Sequence, residues 1–156
     1  MSGLIDDTGY TPLYPADSSL PDDAGIRAFI SDFYRISDRR EDNERWVGQF
    51  TEDARVVIGP GKASGKEELR TMREGMWSAV AERKHTVAKV FPGRFGDDGE
   101  RRCELMLYGD VAYTTKEGQS STVPWAGHGI LRRVRDGEKG EGEVWKFAEY
   151  RVYLLR

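Results

Sequence analysis

The sequence predicts an α+β fold, three N-terminal helices packed in a strongly curved antiparallel sheet that forms a cone-shaped α+β barrel. Three observations predict it. Apolar residues recur at helical spacing up to about Val80, the spacing becomes strand-like from Lys84 onward, and turns rich in Gly and Asp join the later segments. Helices first and consecutive hairpins after them are the mark of an α+β domain with helices on one sheet face. Glycines in the middle of the long strands favour strong curvature, and a sheet curled around helices leaves a pocket at its open end.

The elements follow in order. Residues 1–18, with Gly9, Pro12 and Pro15 and no periodic apolar pattern, are expected to form a flexible arm, mobile or draped over a neighbour. A single domain is expected over residues 19–156. Ser19 to Asp22 has the Ser-x-x-Asp form of a capping box, and Ile26, Phe29, Ile30 and Phe33 carry a first helix to about Asp38. Trp46, Val47 and Phe50 mark a short second helix that "TEDA" ends. Arg55 to Ile58 is a strand, terminated by a turn at Gly59-Pro60-Gly61. Ser64 to Glu67 is a second capping box, opening a third helix whose face is Leu69, Met72, Met76 and Val80. Strands are expected over residues 85–91, 122–134 and 144–155, and over 102–115 either one long strand or two, with a bulge or corner at Gly109-Asp110.

Composition narrows the function. The 156 residues suffice for one core, and 33% charged with 38% hydrophobic residues is ordinary for a soluble domain. A net charge of -3 with interspersed Lys and Arg gives no basic stripe for nucleic acid. No run approaches the roughly 18 apolar residues of a membrane span, and no signal peptide is visible, so the expected location is cytoplasmic. A lone Cys103 excludes an internal disulfide framework, and two histidines without ligand spacing give no metal motif. "GPGKASGK" is not a phosphate-binding loop, because Lys66 is followed by Glu67 where such a loop needs Ser or Thr.

Taken together, the helix ending at Asp38, the passage "FTEDARVVIG", the helix start "SGKEEL" and the closing "WKFAEYRVY" resemble the nuclear-transport-factor-2-like superfamily. Within it the chain resembles the SnoaL-like and scytalone-dehydratase-like small-molecule proteins, over about residues 22–154. The resemblance implies the cone fold, a homodimer, and dehydration, isomerisation or cyclisation without a cofactor. Scytalone dehydratase has an aspartate at the end of its first helix and a histidine opening the strand after the third, and Asp38 and His85 occupy those places. Ser37 stands where the dehydratase has a tyrosine, and its second histidine has no counterpart in "RCELMLYGDVAY".

The expected catalytic pair is therefore Asp38 and His85, histidine being the side chain best matched to moving protons near neutral pH. Each also has a plain reading, His85 as a histidine bonded to backbone and Asp38 as a helix terminator or a partner of Arg35 or Arg39. Tyr34, one helical turn before Asp38, and Tyr108 are candidates to hold an oxyanion, with Tyr113 competing. Glu104 is a general-base candidate if buried and an ordinary charge if exposed. Trp77 and Trp125 are read as pocket walls, and His128, between Gly127 and Gly129, as a ligand contact or a tight bend. These residues fit a cofactor-independent lyase or isomerase acting on a small apolar or polyketide-like molecule. The alternatives are a non-catalytic binding protein and a protein-interaction module; a cone filled by Trp and Phe would remove both small-molecule readings.

Overall fold

Helix α1 covers Asp23–Ser37 in a computed structural model that describes residues 9–16, 20–96, 99–135 and 142–155. Its N-cap is Asp22, whose carboxylate accepts from Gly25 N–H at 3.3 Å and from the Trp145 indole at 3.0 Å. Ser19, from which the expected capping box began, lies outside the described residues. Ile26, Ile30, Phe33 and Tyr34 form the buried stripe of the helix, and Asp38 is its C-cap.

Helix α2 (Asn43–Val47) is a single turn, and Phe50, expected to extend it, instead opens β1 (Phe50–Ile58). "TEDA" is thus strand: Glu52 and Asp53 are exposed while Ala54 and Val56 are buried. Gly59, at a φ of 57° open to glycine, turns the chain into β2 (Gly61–Ser64), a short strand where only a turn was expected. Helix α3 (Gly65–Met76) follows. Its capping differs from expectation, for the Ser64 side chain makes no cap bond and Glu68, one place beyond Glu67, accepts from Ser64 N–H at 2.8 Å. Lys66 donates to the carbonyls of Val47 and Phe50 at 3.2 and 2.9 Å, so its ammonium ties α3 to the end of α2.

Four long strands complete the chain: β3 (Val80–Gly93), β4 (Arg102–Thr115), β5 (Ser120–Arg135) and β6 (Glu143–Leu154). Val80, expected on the face of the third helix, begins β3. The sheet order is β2-β1-β6-β5-β4-β3, and β1 pairs with β6 in parallel, so the sheet is mixed where an antiparallel one was expected. The other four pairings are antiparallel. The parallel pair arises because the chain meets β1 before α3 and returns to lay its last strand beside it.

Bulges bend the strands. The β3–β4 register shifts between Val87 and Lys89, opposite Gly109, and β5 shifts against β6 between Ile130 and Leu131. A Cβ on Gly109 would stand 1.9 Å from the Thr86 carbonyl oxygen, so this close approach needs glycine. The concave face packs on the helices through aromatic rings: Phe33 lies 4.9 Å from Phe147 and 5.2 Å from Tyr150 between ring centroids, and Phe147 lies 4.7 Å from Tyr150.

Part of the N-terminal segment lies along β3. Val87 N–H donates to Gly9 O at 2.8 Å, Leu13 N–H to Ala88 O at 3.0 Å, and Val90 N–H to Leu13 O at 3.0 Å. The Ser31 hydroxyl of α1 donates to Tyr10 O at 2.6 Å, which fixes the segment to the helix as well.

Candidate active site

Asp38 and His85, 47 positions apart in sequence, meet. The end of α1 projects the Asp38 carboxylate toward the first half of β3, and His85 Nδ1 lies 2.6 Å from Asp38 Oδ1. The second carboxylate oxygen accepts from His85 backbone N–H at 2.7 Å and from the Tyr10 hydroxyl at 2.6 Å. Both side chains are largely buried, 5% exposed for Asp38 and 14% for His85. A carboxylate that accepts from the ring nitrogen requires the proton on Nδ1, which leaves Nε2 as the basic nitrogen. The ring is held between Tyr34, 5.1 Å away between centroids, and Trp125, 5.8 Å away edge-on.

A buried arginine fixes the backbone behind the pair. Arg73 of α3 is fully shielded and donates to the carbonyls of Ile36, Ser37 and Arg39 at 3.3, 2.9 and 2.6 Å, and to Asn43 Oδ1 at 2.9 Å. The Ile36 and Arg39 carbonyls also accept from the backbone N–H groups of Arg39 and Asp42 at 3.2 and 3.1 Å, so Arg73 reinforces the turn that follows α1 and supplies the donor for Ser37 O, which sets where Asp38 sits. Burial, with Arg83 nearby, pushes its pKa down to about 10.

His85 lines a cavity of about 50 Å³, together with Ser37, Arg83, Tyr113, Trp125 and Tyr150 among others. Each water needs about 10–15 Å³ by this measure, so the space holds a few waters. Phe33, Phe50 and Phe147 pack against one another and take up much of the concave side, but a cavity remains beside them, so the cone is narrowed by aromatic rings and not filled. Ile58 and Met76 line both this cavity and an outer groove of about 460 Å³ between β2 and α3. They are the wall between the two spaces.

The other expected residues divide. Tyr113 and Trp125 line the cavity. Tyr34 is fully buried and its hydroxyl lies 2.8 Å from that of Tyr150, so Tyr150 is the phenol that reaches the cavity wall. Burial above all, and then Tyr150, raise the Tyr34 pKa well above its ordinary value; burial raises Tyr150 too, and both stay neutral phenols. Trp77 ends α3 outside the cavity lining, under the guanidinium groups of Arg40, Arg73 and Arg83 at 5.4, 5.4 and 4.9 Å. Glu104, Tyr108 and His128 lie on the outer sheet face, because on β4 the buried positions are Cys103, Leu105, Leu107 and Val111. There His128 Nε2 lies 2.6 Å from Glu104 Oε2, and Tyr108, 43% exposed, stacks on Phe91.

Sequence reasoning missed four contributors: Tyr10, Arg73, Arg83 and Tyr150. Arg83 could have been found, since it precedes His85 by one strand repeat and must share its face. Tyr150 shares the inward parity of Ala148 and Val152 but not that of Trp145 and Phe147, because β6 shifts register between Phe147 and Glu149, and simple alternation from the start of the strand would have sent it outward. Tyr10 carried no local signal, because its partner is 28 residues away.

Among the described residues no three or more His, Cys, Asp or Glu side chains gather into a possible metal site, and no helix is long and apolar enough to cross a membrane.

No family model matches the chain, and no curated protein matches it. Solved structures do. A protein of Novosphingobium aromaticivorans provisionally named a scytalone dehydratase superposes with a TM-score of 0.72 at 15% identity, over 85% of this chain and 83% of that one. ActVI-ORFA of Streptomyces coelicolor gives 0.66 at 17% identity, over 84% and 95%. The hexachlorocyclohexane dehydrochlorinase LinA-type3 of Novosphingobium barchaimii gives 0.63 at 18%, over 85% and 86%. At these identities the likeness is one of fold, and the fold is the cone of the nuclear-transport-factor-2-like superfamily.

Proposed function

We propose that the protein is a cofactor-independent lyase or isomerase in which His85 moves a proton at carbon. The observation that carries the reading is the 2.6 Å contact between His85 Nδ1 and a buried Asp38 carboxylate, with His85 on the wall of the cavity. Asp38 holds the imidazole in one tautomer and offsets the charge it gains on taking a proton. Nε2 is the base toward the cavity. Oxygen that gains negative charge as the proton leaves accepts from Tyr150, whose hydroxyl is backed by Tyr34. Trp125 and Val111 put apolar surface beside the site, so a substrate that displaces its few waters meets each of these groups in a drier space, where the interactions are stronger.

The substrate is a small molecule, and it enters as the Met76 and Ile58 side chains yield between the outer groove and the cavity. The flexible thioether chain of Met76 suits a wall that must move. A purely binding role would not call for a carboxylate saturated by a histidine ring, a histidine amide and a phenol. The reading keeps the cytoplasmic location expected from the sequence and includes a homodimer, supported by Phe91, Met106, Tyr108 and Tyr153 exposed on the outer sheet face. Sedimentation at several concentrations tests that part.

The chemistry is tested by incubating the protein in D2O with a panel of small ketones and β-hydroxy or β-halo carbonyl compounds. Mass spectrometry then reads deuterium uptake and elimination products. Wild type should process at least one member, and His85→Gln and Asp38→Asn should slow it by a factor of about 10²–10⁴. Equal rates in all three proteins would remove the reading.

A further inference from the structure

The cavity presents donors that nothing in the protein satisfies. Arg83 lines it, with its guanidinium between the rings of Trp77 and Tyr113, 4.9 and 5.2 Å from their centroids. Nη2 donates to the Met76 carbonyl at 2.9 Å, which fixes the group at the end of α3. Nη1 is buried and has no hydrogen-bond acceptor. The indole Nε1 of Trp125, another lining residue, is likewise buried with no acceptor. Buried donors in native proteins are nearly always paired, and two orphans in the wall of one small space point to an acceptor that arrives from outside.

Charge indicates which acceptor. Arg83, Arg73 and Arg40 all lie within 5.4 Å of the Trp77 ring. Among the described residues no carboxylate lines the cavity, and Asp38, which lies behind His85, is already engaged by His85 and Tyr10. Arg73 spends its donors on neutral carbonyls and Asn43, so two guanidinium charges face the one of Asp38, and among the described residues no carboxylate lies within ion-pair distance of Arg83. Guanidinium is planar, stays protonated and matches the two oxygens of a carboxylate. Acetate has four heavy atoms and occupies what a few waters would, which is the size of the cavity.

We propose that Arg83 and Trp125 form an anion subsite that holds a carboxylate of the substrate, beside the nitrogen that moves the proton. Positions 83 and 85 face the same way on β3, about 6–7 Å apart along the strand. A fragment of two or three carbons therefore spans from a carboxylate on Arg83 to a C–H bond at His85 Nε2. The substrate class is a small carboxylic acid with an otherwise apolar body. This rests on the proton-transfer reading only for what happens after binding; the subsite stands on its own donors.

The test is an acetate titration of the whole protein at constant ionic strength, followed through the Trp125 indole N–H resonance, with bromide as a second probe. Acetate should shift the resonance saturably and more tightly than bromide. Arg83→Gln should weaken acetate by about tenfold or more, the loss of one charge-assisted pair. Arg83→Lys should recover part of it, and Arg132→Gln, on the outer face, should bind as wild type does. No saturable shift, or an unchanged affinity in Arg83→Gln, would overturn the subsite. A preference for bromide would overturn the carboxylate assignment in favour of a departing halide. If Arg83→Gln does not fold, a bromide-soaked crystal of the wild type decides by anomalous scattering: an ion within hydrogen-bond distance of Nη1 supports the subsite, and ions elsewhere only overturn it. None of these measurements reads proton transfer, so failure here leaves the deuterium assay to stand or fall separately.

Discussion

Arg73→Met should be among the most damaging single changes in the protein. Methionine approximates the stem of the side chain but donates nothing, so the buried Ser37 carbonyl loses its donor, while the carbonyls of Ile36 and Arg39 keep only the backbone N–H groups of Arg39 and Asp42 at 3.2 and 3.1 Å. Each buried acceptor left unsatisfied costs about 1–3 kcal/mol, and relief from burying the guanidinium charge offsets part of the sum. We expect a net loss of about 2–4 kcal/mol, one buried carbonyl left without a donor and two that lose a charge-assisted one. For a domain of this size that lowers the thermal midpoint by about 4–16 °C, at about 2–4 °C per kcal/mol. Urea unfolding followed by tryptophan fluorescence measures it, with an unchanged slope against urea showing that stability alone has moved. Arg73→Lys should restore only a fraction, because one ammonium cannot reach acceptors set in a planar fan. A loss below about 1 kcal/mol, the size of an average substitution, would refute the claim that Arg73 holds the end of α1 and with it Asp38.

Tyr10→Phe removes the hydroxyl that donates to Asp38 Oδ2 at 2.6 Å, and should cost about 1.5–3 kcal/mol in urea unfolding, the value of a hydrogen bond to a charged group. It should also slow any deuterium exchange that His85 supports; wild-type values in both assays would place the N-terminal segment outside the site. Alkaline stability depends on Tyr34 and Tyr150, whose phenols are raised in the folded state chiefly by burial. The unfolded chain releases those protons from about pH 10 while the folded chain keeps them, so this part of the stability is complete below about pH 10 and lost as pH rises further. Tyr34→Phe should flatten that decline, and an unchanged slope of unfolding free energy against pH would contradict it. Gly109→Ala should destabilise through the bulge, because its Cβ meets the Thr86 carbonyl at 1.9 Å; a wild-type melting midpoint would show that the bulge can relax.

Much of this was legible in the sequence where one signal sufficed. The long strands announced themselves by alternation, and β4 starts and ends at the expected residues. Asp38 was legible as the residue that closes α1, whereas His85, expected to open its strand, lies inside β3, which begins five residues earlier at Val80; its rarity and the resemblance, not its place at an element end, singled it out. Polar strands hid themselves: β1 begins in "FTED", whose exposed acids read as a helix end, and β2 is four residues long. The parallel pairing of β1 with β6 joins segments with nothing local in common. The face of β4 was readable from the apolar series Cys103, Leu105, Leu107, but Glu104 and Tyr108 drew attention by their chemistry while their parity sends them outward. Arg73 shows the same limit from the other side: an arginine on a polar helix looks solvated until the chain end it binds is known.

The central claim is that Asp38 fixes His85 with Nε2 as the free base, and long-range 1H–15N spectroscopy of the imidazole tests it most directly. The wild type at a pH where the ring is neutral should show a protonated Nδ1 and a bare Nε2, and Asp38→Asn should mix or reverse the tautomers. A ring protonated on Nε2 in the wild type, or a spectrum indifferent to Asp38→Asn, would contradict the account.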